Sequence, residues 1–230
     1  MFPVAILAGG LATRLRPITD TIPKALVEIN GQPFIAHQLR LLQSRGLGRV
    51  VLCLGYRGEM VRDLVGDGRA FGLSVEYSFD GPVLLGTAGA IHQALPLLGE
   101  AFFVLYGDSY LTCDYAAVAQ AFENQGKTGL MTIFQNEGRW DSSNVEFAGG
   151  AILAYDKQHR TPRMRYIDYG LGVFHRRALA GIAPGAIVDL ATLYQELLAK
   201  NDLAAFEVRE RFYEIGSPAG IQELSEALQK

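Results

Sequence analysis

Cysteine is scarce: the 230-residue chain has two, Cys53 and Cys113, with no metal-type spacing between them. That excludes a disulfide framework or a thiolate metal cage and suits a reducing compartment. Cys53 falls in an apolar run and is expected as a buried thiol. The four histidines, His37, His92, His159 and His175, are scattered and show neither triad nor metal spacing. The one tryptophan, Trp140, falls in a polar stretch expected to be a loop. Positive charge is not in excess, since Lys+Arg is 21 against Asp+Glu 24, a net charge of −3. A general affinity for nucleic acid or anionic membrane is therefore not expected, and any anion site must be a local concentration of cations. No apolar run approaches the ~18 residues of a membrane span. The opening MFPVAILAGG lacks the basic leader and long apolar core of a signal peptide, so a soluble, cytoplasmic protein is expected.

What is present is a globular mixture, 49% hydrophobic and 20% charged. Strand-length apolar runs alternate with helical patterns. Strands are expected at Phe2–Ala8, Arg49–Gly55, Leu73–Phe79, Ala101–Gly107 and Leu130–Gln135. Helices are expected at Pro33–Ser44, Glu59–Val65, Thr87–Leu98 and Tyr115–Asn124. Strands apolar on both faces and separated by helices imply a parallel sheet covered on both sides. After about Gln135 the pattern changes. Asn144–Tyr155 reads as a hairpin turning at Gly149-Gly150, followed by a strand at Arg163–Phe174 and a helix at Leu190–Lys200. Short strands at Leu203–Val208 and Arg211–Ile215 and a closing helix at Ala219–Gln229 complete the pattern. With no linker in evidence, residues 1–230 are expected as a single domain. Its second part, 136–230, is expected to pack on the first, 1–135, as a lid or subdomain.

The stretch Leu7-Ala8-Gly9-Gly10-Leu11-Ala12-Thr13-Arg14-Leu15-Arg16-Pro17 follows the first strand directly. Ligands of open α/β sheets bind beyond the carboxyl ends of strands. Paired glycines allow a sharp turn and close approach, and successive backbone N–H groups can hold phosphate oxygens. Arg14 and Arg16 follow at once, and Lys24 lies just beyond in Ile22-Pro23-Lys24-Ala25-Leu26. That set suits a polyphosphate, with arginine binding bidentately and lysine adding a point charge. An ordinary βα turn with solvated cations would share the glycines. The spacing matches neither the G-x-G-x-x-G dinucleotide turn nor the Walker loop. Asp108 ends the fourth strand in Tyr106-Gly107-Asp108-Ser109, where a carboxylate points into the crevice and suits Mg²⁺ beside phosphates. In isolation an Asp opening a loop is more often a cap or turn residue. Gly86 or Thr87 would cap the helix that follows Leu85.

LAGGLATRLRP…PKAL resembles the signature of the sugar-phosphate nucleotidyltransferases, the nucleoside-diphosphate-sugar pyrophosphorylases. The similarity extends from Leu7 to Pro218. It implies an α/β, three-layer αβα, Rossmann-like mixed sheet with a small sugar-side β subdomain, a GT-A-like nucleotidyltransferase fold. It implies nucleotide contacts at Leu7, Ala8, Gly9, Gly10, Thr13, Arg14, Gly86 and Thr87, and catalytic roles for Arg14, Lys24 and Asp108, with Arg16 secondary. Gly107-Asp108 matches the family's metal-holding Gly-Asp, and Mg²⁺ is the implied cofactor. Glu214, in Tyr213-Glu214-Ile215-Gly216-Ser217-Pro218, stands where the family has aspartate and is the second expected metal ligand. A plain surface pairing of Glu214 with Arg209 or Arg211 is the competing expectation. Asn144, Lys157, Asp168 and Gly170 match segments that face the sugar phosphate.

The implied reaction is nucleotidyl transfer from an NTP to a sugar 1-phosphate, with pyrophosphate released. LLGTAGA, YGDS and DYGLGVF look most like the heptose branch. That branch implies GTP and D-glycero-α-D-manno-heptose 1-phosphate, giving GDP-heptose for surface polysaccharide. The implied alternatives are guanylyl transfer to mannose 1-phosphate, uridylyl transfer to N-acetylmuramate 1-phosphate, a phosphocholine-type cytidylyltransferase, and a non-catalytic nucleotide-sugar binding protein. Short members are often homodimers, which makes a second copy the expected protein partner.

Overall fold

A computed structural model describes residues 1–229. The first part of the chain runs β1 (Val4–Leu7), β2 (Glu28–Ile29), β3 (Gln32–Pro33), α1 (Phe34–Ser44), β4 (Arg49–Leu54), α2 (Gly58–Val65), β5 (Ser74–Phe79), α3 (Gly86–Ala94) and β6 (Ala101–Tyr106). It continues with β7 (Ser109–Leu111), α4 (Tyr115–Gln125), β8 (Gly129–Gln135), β9 (Val145–Ala148), β10 (Ala151–Tyr155) and β11 (Tyr166–His175). The last elements are α5 (Leu190–Ala199), β12 (Leu203–Val208), β13 (Phe212–Glu214) and α6 (Pro218–Ala227).

β1, β4, β5 and β6 are parallel neighbours in the order β6-β1-β4-β5. Period-2 alternation sends their apolar side chains into two cores. Val4, Ile6, Phe103 and Leu105 face one core, which α1, α2 and α4 cover with Ile35, Leu39, Val61 and Val118. Ala5, Phe102 and Val104 face the other, covered by α3 and α5 through Ile91, Leu193 and Leu197. The mixed, three-layer α/β arrangement expected from the sequence is the one observed. Among the described residues no helix is long and apolar enough to cross a membrane.

The parallel arrangement that periodicity implies for the strands up to Gln135 is interrupted at β11. This strand lies between β6 and β8 and runs antiparallel to both. The reason is local: β8 is followed by the β9–β10 hairpin and not by a crossover helix, so the chain returns in the opposite sense. Of the later segment, β11 is thus threaded into the centre of the sheet, while β12 pairs only with β8 at an edge and the hairpin joins β11 through Tyr166 and Val145. The register of β11 on β8 shifts between Asp168 and Gly172, where Gly170 takes φ +98°. That bulge turns Asp168 and Gly170 toward the crevice. α3 stops at Ala94, ahead of Pro96, because proline brings no N–H to continue it. A third, smaller core of Leu15, Ile29, Phe34, Ile215 and Leu224 joins the segment after β1 to β13 and α6.

Candidate active site

The carboxyl ends of β1, β4 and β6 meet at the loop after β1. Ala8 N–H donates to Cys53 O at 2.9 Å, Tyr56 N–H to Gly9 O at 3.1 Å, and Gly107 N–H to Leu7 O at 3.0 Å. Contact this close demands glycine. A Cβ on Gly9 would lie 2.9 Å from Gly55 N, and one on Gly107 would lie 2.4 Å from Leu7 O. Gly10 is different: nothing stands within 4 Å of where its Cβ would be, so its backbone faces open space. The chain then turns through Ala12 (φ 49°) into a short 3₁₀ turn, Thr13–Leu15. Leu15 is buried beneath the turn while Thr13 and Arg14 are exposed above it.

Lys24 reaches back across this corner. Its Nζ lies 2.7 Å from Asp108 Oδ2. The loop holding Asp108 is fixed from below by the buried Gln38, which donates to Tyr106 O at 3.1 Å and Ser109 O at 2.9 Å. From the side, Ile215 N–H donates to Asp108 O at 2.9 Å. β13 pairs antiparallel with β7, setting Glu214 opposite Ser109 and beside Asp108. Burial, and then the charges of Asp108 and Asp141, push the Glu214 carboxyl up to about 7, with Lys24 and Arg14 pulling the other way. The competing surface pairing is not formed, because Arg211 is engaged by Glu223. Arg16 turns outward and pairs with Asp20 at 3.2 Å.

Two cavities meet at Tyr106 and Asp108. The first is lined by Leu7, Ala8, Gly9, Gly10, Gly86 and Thr87, with Lys24, Asp80 and Asp189 on its wall. Gly86 and Thr87 have a packing duty as well. A Cβ on Gly86 would lie 2.6 Å from Val188 O, and Thr87 Oγ1 accepts the N–H of Leu190 at 2.6 Å, which ties α3 to α5. The second cavity is polar and is walled by Arg14, Asn144, Lys157, Asp168, Gly170 and Glu214, with Asp141 and Arg160 beside them. Asn144 Oδ1 accepts the N–H of Asp168 at 3.0 Å, which fixes the start of the bulge. Asp168 Oδ1 accepts the N–H of Gly170 at 3.1 Å. Burial pushes the Asp168 carboxyl above its ordinary range, while Lys157 and its hydrogen-bond donors pull it down.

Every sequence-expected site residue except Thr13 and Arg16 lines one of the two cavities; Arg14, expected at the nucleotide, lines the second and not the first. Periodicity and motif reading missed Gln38, Asp80, Tyr106, Asp141, Tyr155 and Arg160. Tyr106 had an available signal, since it lies two residues before Asp108 at a strand end. None of the four histidines lines either cavity. Among the described residues no three His, Cys, Asp or Glu side chains converge as a metal cage. Asp108 and Glu214 are nevertheless an oxygen pair of the kind Mg²⁺ takes together with phosphate oxygens and water. A divalent cation there would offset the burial and, after it, the Asp108 charge that raise Glu214.

The model of the family described as nucleotidyl transferase matches residues 4–143. N-acetylmuramate alpha-1-phosphate uridylyltransferase of Neisseria meningitidis is 29% identical over 95% of this chain and 94% of its own length. Mannose-1-phosphate guanyltransferase of Kluyveromyces lactis is 41% identical over 93% of this chain, which spans only 61% of that protein. Among solved structures, HddC from Yersinia pseudotuberculosis complexed with GMP-PN has a TM-score of 0.82 at 24% identity, covering 99% of this chain and 100% of its own. At that identity the likeness is one of fold.

Proposed function

Because the chain belongs to the nucleotidyl transferase family, we propose that it moves a nucleoside monophosphate from GTP to D-glycero-α-D-manno-heptose 1-phosphate, yielding GDP-heptose and pyrophosphate for surface polysaccharide. The observation that carries the transfer reaction is the meeting of an open glycine turn and a polar pocket at one edge, where Asp108 and Lys24 stand 2.7 Å apart. The first cavity takes the nucleotide and the second the sugar phosphate, so the α-phosphorus lies between them.

A phosphate oxygen of the sugar 1-phosphate attacks the α-phosphorus in line. One P–O bond forms, the α–β bridge breaks, and pyrophosphate leaves with the bonding pair. The attacking oxygen is already anionic, so no base is needed, consistent with histidines that stand away from both cavities. What the protein adds is orientation and charge neutralisation. Backbone N–H groups at Gly9 and Gly10 and the guanidinium of Arg14 hold the leaving pyrophosphate. Lys24 neutralises the α-phosphate, and Lys157 receives the acceptor phosphate. Asp108 and Glu214 would hold Mg²⁺, which when bound supplies further neutralisation of the phosphate charge.

The GTP reading draws support from the guanine nucleotide analogue held by HddC. The heptose reading draws on LLGTAGA, YGDS and DYGLGVF. A second reading, uridylyl transfer to N-acetylmuramate 1-phosphate, is favoured by near full-length coverage of the Neisseria enzyme. The test is pyrophosphate release from four NTPs against heptose, mannose, glucose and N-acetylmuramate 1-phosphates. Highest turnover with GTP and the heptose is expected. A different best pair replaces the substrate, and no release from any pair leaves a non-catalytic binder.

A further inference from the structure

Tyr106 closes β6, and its ring is the wall shared by the two cavities. Its position is determined on every side. The backbone carbonyl accepts from Gln38, and Gly170 passes so close behind the ring that a Cβ there would lie 3.4 Å from Tyr106 Cδ2. The phenol donates to Asp168 Oδ2 at 3.4 Å and accepts from Lys157 Nζ at 3.4 Å. Tyr155 donates to the same Asp168 oxygen at 3.3 Å. The Lys157 ammonium also stands 5.2 Å from the centroid of the Tyr106 ring.

Lys157 is exposed at the exit of the β9–β10 hairpin, and a free lysine there has rotamer freedom to lose on binding. A phenol has one proton to give and lone pairs to receive, and Tyr106 uses both functions between Asp168 and Lys157. Phenylalanine would provide neither. We propose that Tyr106 is the positioning residue of the acceptor site, holding Lys157 and Asp168 in place for the sugar phosphate before it arrives. This rests on the nucleotidyl-transfer reading given above. Although the ring touches both cavities, its polar contacts all go to residues of the second, so its effect falls on the acceptor and not on the nucleotide.

The test is steady-state pyrophosphate release by the wild type, Tyr106→Phe and Tyr106→Leu. D-glycero-α-D-manno-heptose 1-phosphate and GTP are varied in turn, mannose 1-phosphate is the second acceptor, and thermal unfolding confirms the fold. Tyr106→Phe keeps the ring and loses the phenol, so the acceptor KM should rise about fivefold while the GTP KM and kcat move less than twofold. Tyr106→Leu also loses the ring face, and the acceptor KM should rise further, by about another threefold. In a Lys157→Ala background the effect of Tyr106→Phe should shrink to about twofold, the part that runs through Asp168. An acceptor KM that stays put, or acceptor and GTP KM values that rise together, overturns the proposal. A wild type that releases no pyrophosphate with any sugar 1-phosphate instead overturns the reading beneath it, and the two failures are told apart by the unmutated protein.

Discussion

The two cavities that meet at Asp108 are built by different means. The first is shaped by backbone and small residues: Gly9 and Gly107 are forced by neighbours within 3 Å of an added Cβ, and Gly10 opens onto free space. The second is shaped by side chains, with Lys157 from a hairpin exit, Asp168 from a bulge, Glu214 from a two-stranded ribbon and Arg14 from the first loop. A wall of backbone cannot be altered without moving the strands that carry it. A wall of side chains can be altered one residue at a time with the fold left intact. On the assignment proposed above, the nucleotide side is the fixed half and the acceptor side the adjustable half.

The largest effect is expected at the shared edge. Lys24→Ala removes the cation facing Asp108 and should lower kcat by about 10²–10³-fold in pyrophosphate release. An unchanged rate would show that the two halves do not join there. Gly107→Ala comes next. Its Cβ would meet Leu7 O at 2.4 Å, so the strand ends must part. Overpacking of this kind costs about 1–3 kcal/mol, and in a domain of this size Tm falls by about 2–4 °C per kcal/mol. Gly10→Ala, with open space around it, should leave Tm within about 1 °C and raise the NTP KM instead. Equal loss of stability in the two variants would erase the distinction between a packing glycine and a ligand-facing one. On the adjustable side, Lys157→Ala should raise the acceptor KM about tenfold with no change in the NTP KM.

The smallest effect concerns Asp168. Burial holds its carboxyl above the ordinary 3.8, so just above that pH the folded chain binds more protons than the unfolded one. Stability from this group is accordingly present at lower pH and falls as pH rises through that window, levelling once both states have ionised. Urea unfolding at a series of pH values should show this slope in the wild type and a flatter curve in Asp168→Asn. Parallel curves would remove Asp168 from the buried charges of the acceptor side.

The same contrast explains what was legible in the sequence. Leu7 to Pro17 is one contiguous stretch whose glycines, arginines and strand context can be read together, and the structure places Leu7, Ala8, Gly9, Gly10 and Ala12 on the first cavity and Arg14 on the second. β1, β4 and β6 are legible because strands buried on both faces are apolar almost throughout, and β5 at the sheet edge because Val75, Tyr77 and Phe79 alternate with polar residues. β11 was assigned as a strand, but its sense and central place depend on pairing with β6 and β8, which are distant in sequence. Tyr106, Tyr155 and Asp168 come together only through that pairing, so periodicity could not join them. Gln38 reads as one more polar helix residue until its amide is seen on Tyr106 O and Ser109 O.

The most direct measurement is a crystal structure with GMP-PN and Mg²⁺ soaked in. The phosphate tail should lie along the backbone of Gly9 and Gly10 between Arg14 and Lys24, with the base in the cavity beside Gly86. A bare glycine turn, with the base and phosphates lodged away from Gly9, Gly10 and Gly86, would contradict the division of the site into its two halves.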